Sequence, residues 1–163
     1  MITIDVLGTP APKGSNRAIS IGGRARFVPG GSRVNQANLR SWDVAVREAA
    51  LLAVRDAADR ARDGGVTVAG DAPCYVEQPL EVVIEFRMAR PGGHWGKRGL
   101  RSSAPIAPAT KPDIDKLARS TLDSLTGLVF DDDSRIVELR TRKIYATPGC
   151  EGATINVRKW VGP

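Results

Sequence analysis

The stretch KPDIDKLARSTLDSLTGLVFDDDSRIVEL, residues 111–139, decides how this chain is read. Ile114, Leu117, Ala118, Thr121, Leu122 and Leu125 follow the i, i+3, i+4, i+7, i+8, i+11 template of one buried stripe, which predicts a helix over 114–125. Thr126-Gly127 ends it, with Gly127 as the C-terminal glycine, and RIVELRTRKIYA then reads as a strand. The same stretch holds Asp113, Asp115, Asp123, Asp131, Asp132, Asp133 and Glu138 in a chain whose formal net charge is +6. A basic protein that concentrates its acids here presents either a solvated acidic surface or carboxylates converging on something positive.

Outward from this stretch the pattern is α+β. ITIDVL (2–7) alternates as a half-buried strand, GTPAPKG breaks it, and AISI and ARFV around Gly22-Gly23 form a hairpin. From about Asn35 to Arg62 the chain has no Gly or Pro, and Leu39, Trp42, Val46, Ala49, Ala53 and Ala57 recur at helical spacing, so this helix packs on a core with Trp42 inside it. GGVTVAGDAP is a loop, PLEVVIEFRMA (79–89) a strand with Leu80, Val82, Ile84 and Phe86 on one side, and GATINVRKW a final strand. The expectation is a single domain over residues 1–163: one mixed or antiparallel sheet with two main helices against it. Between strand and helix, residues 90–111 contain Arg90, Lys97, Arg98, Arg101 and Lys111 without an acid. Their glycines and prolines predict a flexible basic loop without regular structure.

Composition narrows the function. A pI near 9.8 favours an anionic partner, nucleic acid first. His94 is the sole histidine and stands among glycines, which argues against His-based zinc sites and against Ser-His-Asp or Cys-His hydrolysis. Cys74 and Cys150 are isolated and give no disulfide framework, so a reducing cytoplasm is expected. No membrane run or signal segment is recognised.

Two readings of the acids follow. Asp113 caps the helix while Asp115 favours its positive N-terminus, or both join the 131–133 cluster around a cation. Mutually repelling carboxylates need such a cation, and oxygen-only donors select Mg²⁺, with Mn²⁺ as a substitute. An EF-hand fits poorly, since DDDSRIVEL lacks the glycine at the sixth loop position. A carboxylate-held metal in a basic protein suits phosphodiester hydrolysis.

Residues 111–139 resemble the signature of the RusA family of Holliday-junction resolvases: K/R-x-D-L-D-N-L-x-K-x-x-x-D-A-L-x-G, then an aspartate pair and a strand. GTPAPKGSNRA also resembles the N-terminal segment of the phage-type members. The resemblance implies catalytic, metal-holding aspartates at Asp113, Asp115 and Asp133. Asp133 is chosen because the family pair precedes a small-polar-Ile/Val step, here Ser134-Arg135-Ile136, which leaves Asp131 as an extra acid. Where the family has asparagine and lysine, this chain has Lys116 and Arg119; Arg119 is a planar fork in place of a point charge. Lys13, Arg17, Lys97, Arg98, Arg101, Lys111 and Lys116 are the expected DNA contacts. The resemblance further implies an Mg²⁺-dependent homodimer in the bacterial cytoplasm, nicking four-way junctions symmetrically. The competing readings are an inactive DNA-binding protein of the same fold, and a metal-dependent nuclease for flaps or forks.

Overall fold

The computed structural model describes residues 1–14, 17–22, 24–28, 32–63 and 74–162. Strand β1 (Ile2–Leu7) is followed by a hairpin of β2 (Arg17–Ile21) and β3 (Arg24–Val28), then helix α1 (Arg33–Asp63). Strand β4 (Leu80–Met88) leads into two two-residue strands, β5 (Trp95–Gly96) and β6 (Gly99–Leu100), and then helix α2 (Ile114–Leu125). Strands β7 (Ile136–Tyr145) and β8 (Gly152–Lys159) close the chain. The 64–73 stretch, expected to be a loop, lies outside the described residues.

One four-stranded sheet organises the molecule, in the order β1-β8-β4-β7. It is mixed: β8 runs antiparallel to both β1 and β4, while β7 runs parallel to β4. Alternation selects the buried face, as expected. Ile2, Ile4 and Val6 of β1, Val82, Ile84 and Phe86 of β4, and Ala153, Ile155 and Val157 of β8 form one core with Trp42 and Val46 of α1 and Leu117 and Leu125 of α2. Trp42 Nε1 donates to Thr121 Oγ1 (3.1 Å), and Ser124 Oγ donates to an Asp43 carboxylate oxygen (2.6 Å). These bonds join α1 to α2 and satisfy polar groups that burial would otherwise penalise. At Gly152 the chain passes so close to β1 that a Cβ would meet the Val6 carbonyl oxygen at 1.8 Å, and φ is +153°, so only glycine fits.

The parallel pair dictates where α2 lies. Two parallel strands need a crossover, and α2 is that crossover, running against both. Its start is held at the C-terminal end of β7, where Lys143 Nζ donates to the carbonyls of Thr110 (2.7 Å) and Pro112 (2.9 Å). Its end, with Gly127 at φ +79°, lies beside the start of β7, where Phe130 bridges to Thr126 and Tyr75.

The 90–111 segment departs from the expectation of no regular structure. It contains a 3₁₀ turn at Gly92–His94 and the β5–β6 hairpin, which Gly99 at φ +110° permits. The Arg101 N–H donates to the His94 carbonyl at 2.9 Å. Among the described residues no helix is long and apolar enough to cross a membrane.

Candidate active site

Asp113 and Asp115 open α2 at the C-terminal end of the β4–β7 pair. Ligands of open α/β sheets bind at that end of the strands, and helix N-termini attract anions. Asp113 holds the N-cap position with extended backbone (φ −68°, ψ 138°), yet its side chain makes no capping hydrogen bond. The first-turn N–H groups are therefore left without a side-chain acceptor at the cap. The Asp113 carboxylate accepts instead from Lys116 Nζ at 2.8 Å. That hydrogen bond, followed by the charges of Lys116, Lys111 and Lys143, holds the Asp113 carboxyl below its ordinary range. The Lys116 ammonium is raised in turn. Asp113 and Asp115 are both exposed.

The N-terminal GTPAPKG segment folds onto this helix. The Lys13 N–H donates to the Lys116 carbonyl (3.2 Å), Ser120 Oγ donates to the Ala11 carbonyl (2.7 Å), and the Lys13 ammonium pairs with Asp123. Asp123 is thus a docking residue, and the Lys13 charge is occupied in holding the segment down. Between this segment and the starts of α1 and α2 lies an open cavity of about 440 Å³, lined by Pro10, Asn35, Asn38, Lys111, Asp113 and Lys116. A depression of similar volume on the opposite sheet face is walled by Glu85 and Arg142, which pair with each other, and it holds no site residue. Arg119 is exposed one turn beyond Asp115 and makes no ion pair or hydrogen bond among the described residues.

The second acidic cluster stands elsewhere. Asp131 is anchored locally: the Glu77 N–H donates to it at 3.4 Å and Arg135 approaches to 3.2 Å. Burial pushes its carboxyl up, but the Glu77 and Arg135 contacts outweigh this and leave it below its ordinary range. Asp132 accepts from the Ser134 N–H at 2.8 Å and caps the 3₁₀ turn Asp133–Arg135, and its Ser134 contacts lower its carboxyl as well. Asp133 alone of the three is exposed without a hydrogen bond or ion pair among the described residues.

Asp113 and Asp115 lie at one end of β7 and Asp133 at the other. With ten residues at about 3.3 Å each, β7 spans roughly 30 Å. The donors suit a hard divalent ion in kind, being exposed oxygens, and Asp113 already accepts a cation in the Lys116 ammonium. Among the described residues, however, no three His, Cys, Asp or Glu side chains are gathered closely enough to hold a metal.

The basic loop begins at this same end. Arg90 lies over the Tyr145 ring at 3.9 Å, His94 meets that ring edge-on at 5.6 Å, and Arg90 donates to the Pro105 carbonyl at 3.0 Å. Lys97, Arg98, Arg101 and Lys111 are exposed, with Arg101 Nε donating to the Trp95 carbonyl at 3.1 Å. The Arg17 side chain lies outside the described residues. Sequence reasoning missed Lys143 and Tyr145. A signal existed for Lys143, since it falls in register with buried Phe86, where an apolar residue is the ordinary choice.

Comparison with known proteins agrees with this arrangement. A 41-residue segment is 39% identical to Uncharacterized protein YqaN of Bacillus subtilis (strain 168), covering 25% of this chain and 29% of that protein. The chain thus spans under a third of that relative's length. The family profile of Endodeoxyribonuclease RusA matches residues 22–158, which include β4, the basic loop, α2 and both acidic clusters. The chain belongs to the RusA endodeoxyribonuclease family.

Proposed function

We propose that this protein is a divalent-metal-dependent endodeoxyribonuclease that resolves four-way DNA junctions by paired nicks. The observation that carries the reading is the start of α2. Two exposed carboxylates, Asp113 and Asp115, stand there among Lys111, Lys116, Lys143 and Arg119, at the root of the basic 90–111 loop. Positive charge around a carboxylate pair attracts a phosphodiester that the carboxylates alone would repel.

Mg²⁺, with Mn²⁺ as substitute, would be held by Asp113, Asp115 and Asp133, and when bound it supplies an acidified water and neutralises charge on the phosphate. Asp133 is the acid of its cluster not committed to local structure, which supports its selection over Asp131 and Asp132. The span of β7 keeps it from the other two within one chain, so we assign it to the site of a second copy. Each site then draws Asp113 and Asp115 from one protomer and Asp133 from its partner. A two-fold dimer with two such sites matches a junction that must be cut on two strands. Within the site, Lys116 keeps Asp113 ionised, the first turn of α2 faces the phosphate, and Arg119 is free to donate a bidentate pair to its oxygens.

Supplying junction, fork, flap and duplex DNA with and without Mg²⁺ tests the activity: junctions should be cut preferentially and only with metal. A fork or flap preference would favour the second nuclease reading, and metal-independent binding without cutting the inactive one. Subunit mixing tests the shared site. Asp113→Asn and Asp133→Asn proteins, each inactive alone, should regain nicking when mixed, because one site of the mixed dimer keeps all its aspartates. Random pairing gives about a quarter of the wild-type sites. No recovery would place all three aspartates in one chain.

A further inference from the structure

We propose that the second copy docks on the outer edge of β7, the two β7 strands pairing antiparallel about a two-fold axis to make one eight-stranded sheet. This inference rests on the reading of the protein as a paired nuclease and adds the surface through which the pair forms. Strand β7 is the last strand of the sheet and is hydrogen-bonded on one side only, to β4. Its ten residues contain no proline, and its register with β4 is unbroken from Glu81 to Met88. A long regular edge of this kind presents a row of backbone donors and acceptors to another strand. Val137 and Leu139 lie along it at 57% and 43% exposure, on the side that faces the helix layer, as the pairing of Leu139 with buried Val82 shows.

Charge along the edge is self-complementary. Asp131, Asp132, Asp133 and Glu138 gather towards its start, while Arg140, Arg142 and Lys143 follow in its second half. The one early cation, Arg135, is already paired with Asp131 at 3.2 Å. Antiparallel pairing sets the acidic half of one copy against the basic half of the other, whereas parallel pairing sets like against like. The register centred on Leu139 uses these features together. Leu139 meets its own copy, Val137 faces Thr141, and Glu138 faces Arg140 of the other strand. Arg140 and Arg142 have side chains 67% and 74% exposed, so their present pairs with Glu138 and Glu85 leave donors open. In this register Asp133 of each copy arrives at the Tyr145 end of the other, where α2 and the basic loop begin.

Cross-linking decides the matter without a nuclease readout. In a Cys74→Ala, Cys150→Ser background, Leu139→Cys should give a covalent dimer on mild oxidation, since facing residues of an antiparallel pair have Cα atoms about 4.5–5.5 Å apart, within disulfide range. Thr3→Cys, on the opposite edge strand β1, should stay monomeric under denaturing conditions. Because the cysteine-free background removes a partly buried thiol, a second measurement uses the native cysteines. Val137→Lys/Leu139→Lys should sediment as a monomer with its thermal unfolding transition retained, where wild type sediments as a dimer. Cross-linking of Leu139→Cys no faster than Thr3→Cys, a wild-type monomer, or dimeric lysine variants would each overturn the β7 edge. None of these outcomes touches the nuclease reading, which fails only if wild type leaves junctions uncut.

Discussion

The two acidic clusters contain similar residues and behave differently. At the start of β7 the backbone consumes its acids: Asp131 takes the Glu77 N–H and Arg135, and Asp132 caps a 3₁₀ turn. At the start of α2 the backbone asks nothing of Asp113, although it occupies the N-cap, and its carboxylate is left to a lysine. A carboxylate committed to N–H groups is a structural part. A carboxylate held only by a mobile ammonium is available to exchange that cation for another. By this criterion Asp113, Asp115 and Asp133 form the chemical set, and Asp131 and Asp132 form the set that shapes the turn.

The sharpest way to break this comparison is to neutralise each acid in turn. Asp113→Asn, Asp115→Asn and Asp133→Asn should each abolish junction cleavage while junction binding, followed by gel shift, is retained or tightened, because each removes both a metal donor and a repulsion of the phosphate. Asp131→Asn should leave cleavage within a few-fold of wild type and lower the unfolding temperature, as a charge-assisted acceptor is lost. A cleavage loss at Asp131 equal to that at Asp133 would mean that the turn, not the third acid, is what the site needs.

Arg119 comes next in size. Asp123, which lies one turn away at helical spacing, is taken by Lys13, and this leaves Arg119 with no structural pairing among the described residues. A surface ion pair would be worth only about 0.3–0.5 kcal/mol, whereas a donor aimed at transition-state charge contributes on the order of a hundredfold or more in rate. Arg119→Ala should therefore slow cleavage roughly a hundredfold or more with the unfolding temperature nearly unchanged, and Arg119→Lys should restore much of the rate. Near-wild-type turnover by the alanine variant would move the phosphate contact to Lys111 or Lys143.

How much of this was legible in the sequence depends on the range of the interaction. Helix α2 and the faces of β1 and β4 followed from periodicity, because burial of one stripe is written locally at 3.6 or 2 residues per repeat. The cap position of Asp113 was legible too, but its lack of a capping bond was not: that depends on Lys116 winning the carboxylate. Sheet order was hidden, since nothing local says that β7 lies beside β4 and parallel to it. For that reason the sequence left the meeting of Asp113 with Asp133 open, and the fold places them at opposite ends of one strand. The 90–111 segment reads as structureless by its glycines, and those glycines are what allow its hairpin.

The basic loop offers a smaller, graded effect. Lys97 and Arg98 are exposed at the hairpin tip and have no partner among the described residues, whereas Arg101 is tied to the Trp95 carbonyl. Lys97→Ala/Arg98→Ala should weaken junction affinity and reduce the slope of log affinity against log salt by about 0.9 per lost phosphate contact. Arg101→Ala should perturb the hairpin as well as the charge. An unchanged salt slope in the double variant would remove the loop from the DNA interface.

The smallest effect tests the lysine that marks the difference between the clusters. Lys116 lowers the Asp113 carboxyl, so Asp113 stays ionised to a lower pH than an isolated aspartate. The sign for stability follows: a carboxyl whose folded value is depressed contributes above its unfolded value, and the contribution is lost as pH falls through the folded one. Lys116→Gln should move the Asp113 titration, followed by carboxyl-carbon NMR, upward towards the model aspartate value of 3.8. Lys111 and Lys143 remain nearby, so the return should be incomplete. Asp132 is lowered by Ser134 and not by a lysine, so its titration should not respond. A shift of both, or of neither, would mean that the two clusters are not held by the separate means their hydrogen bonds describe.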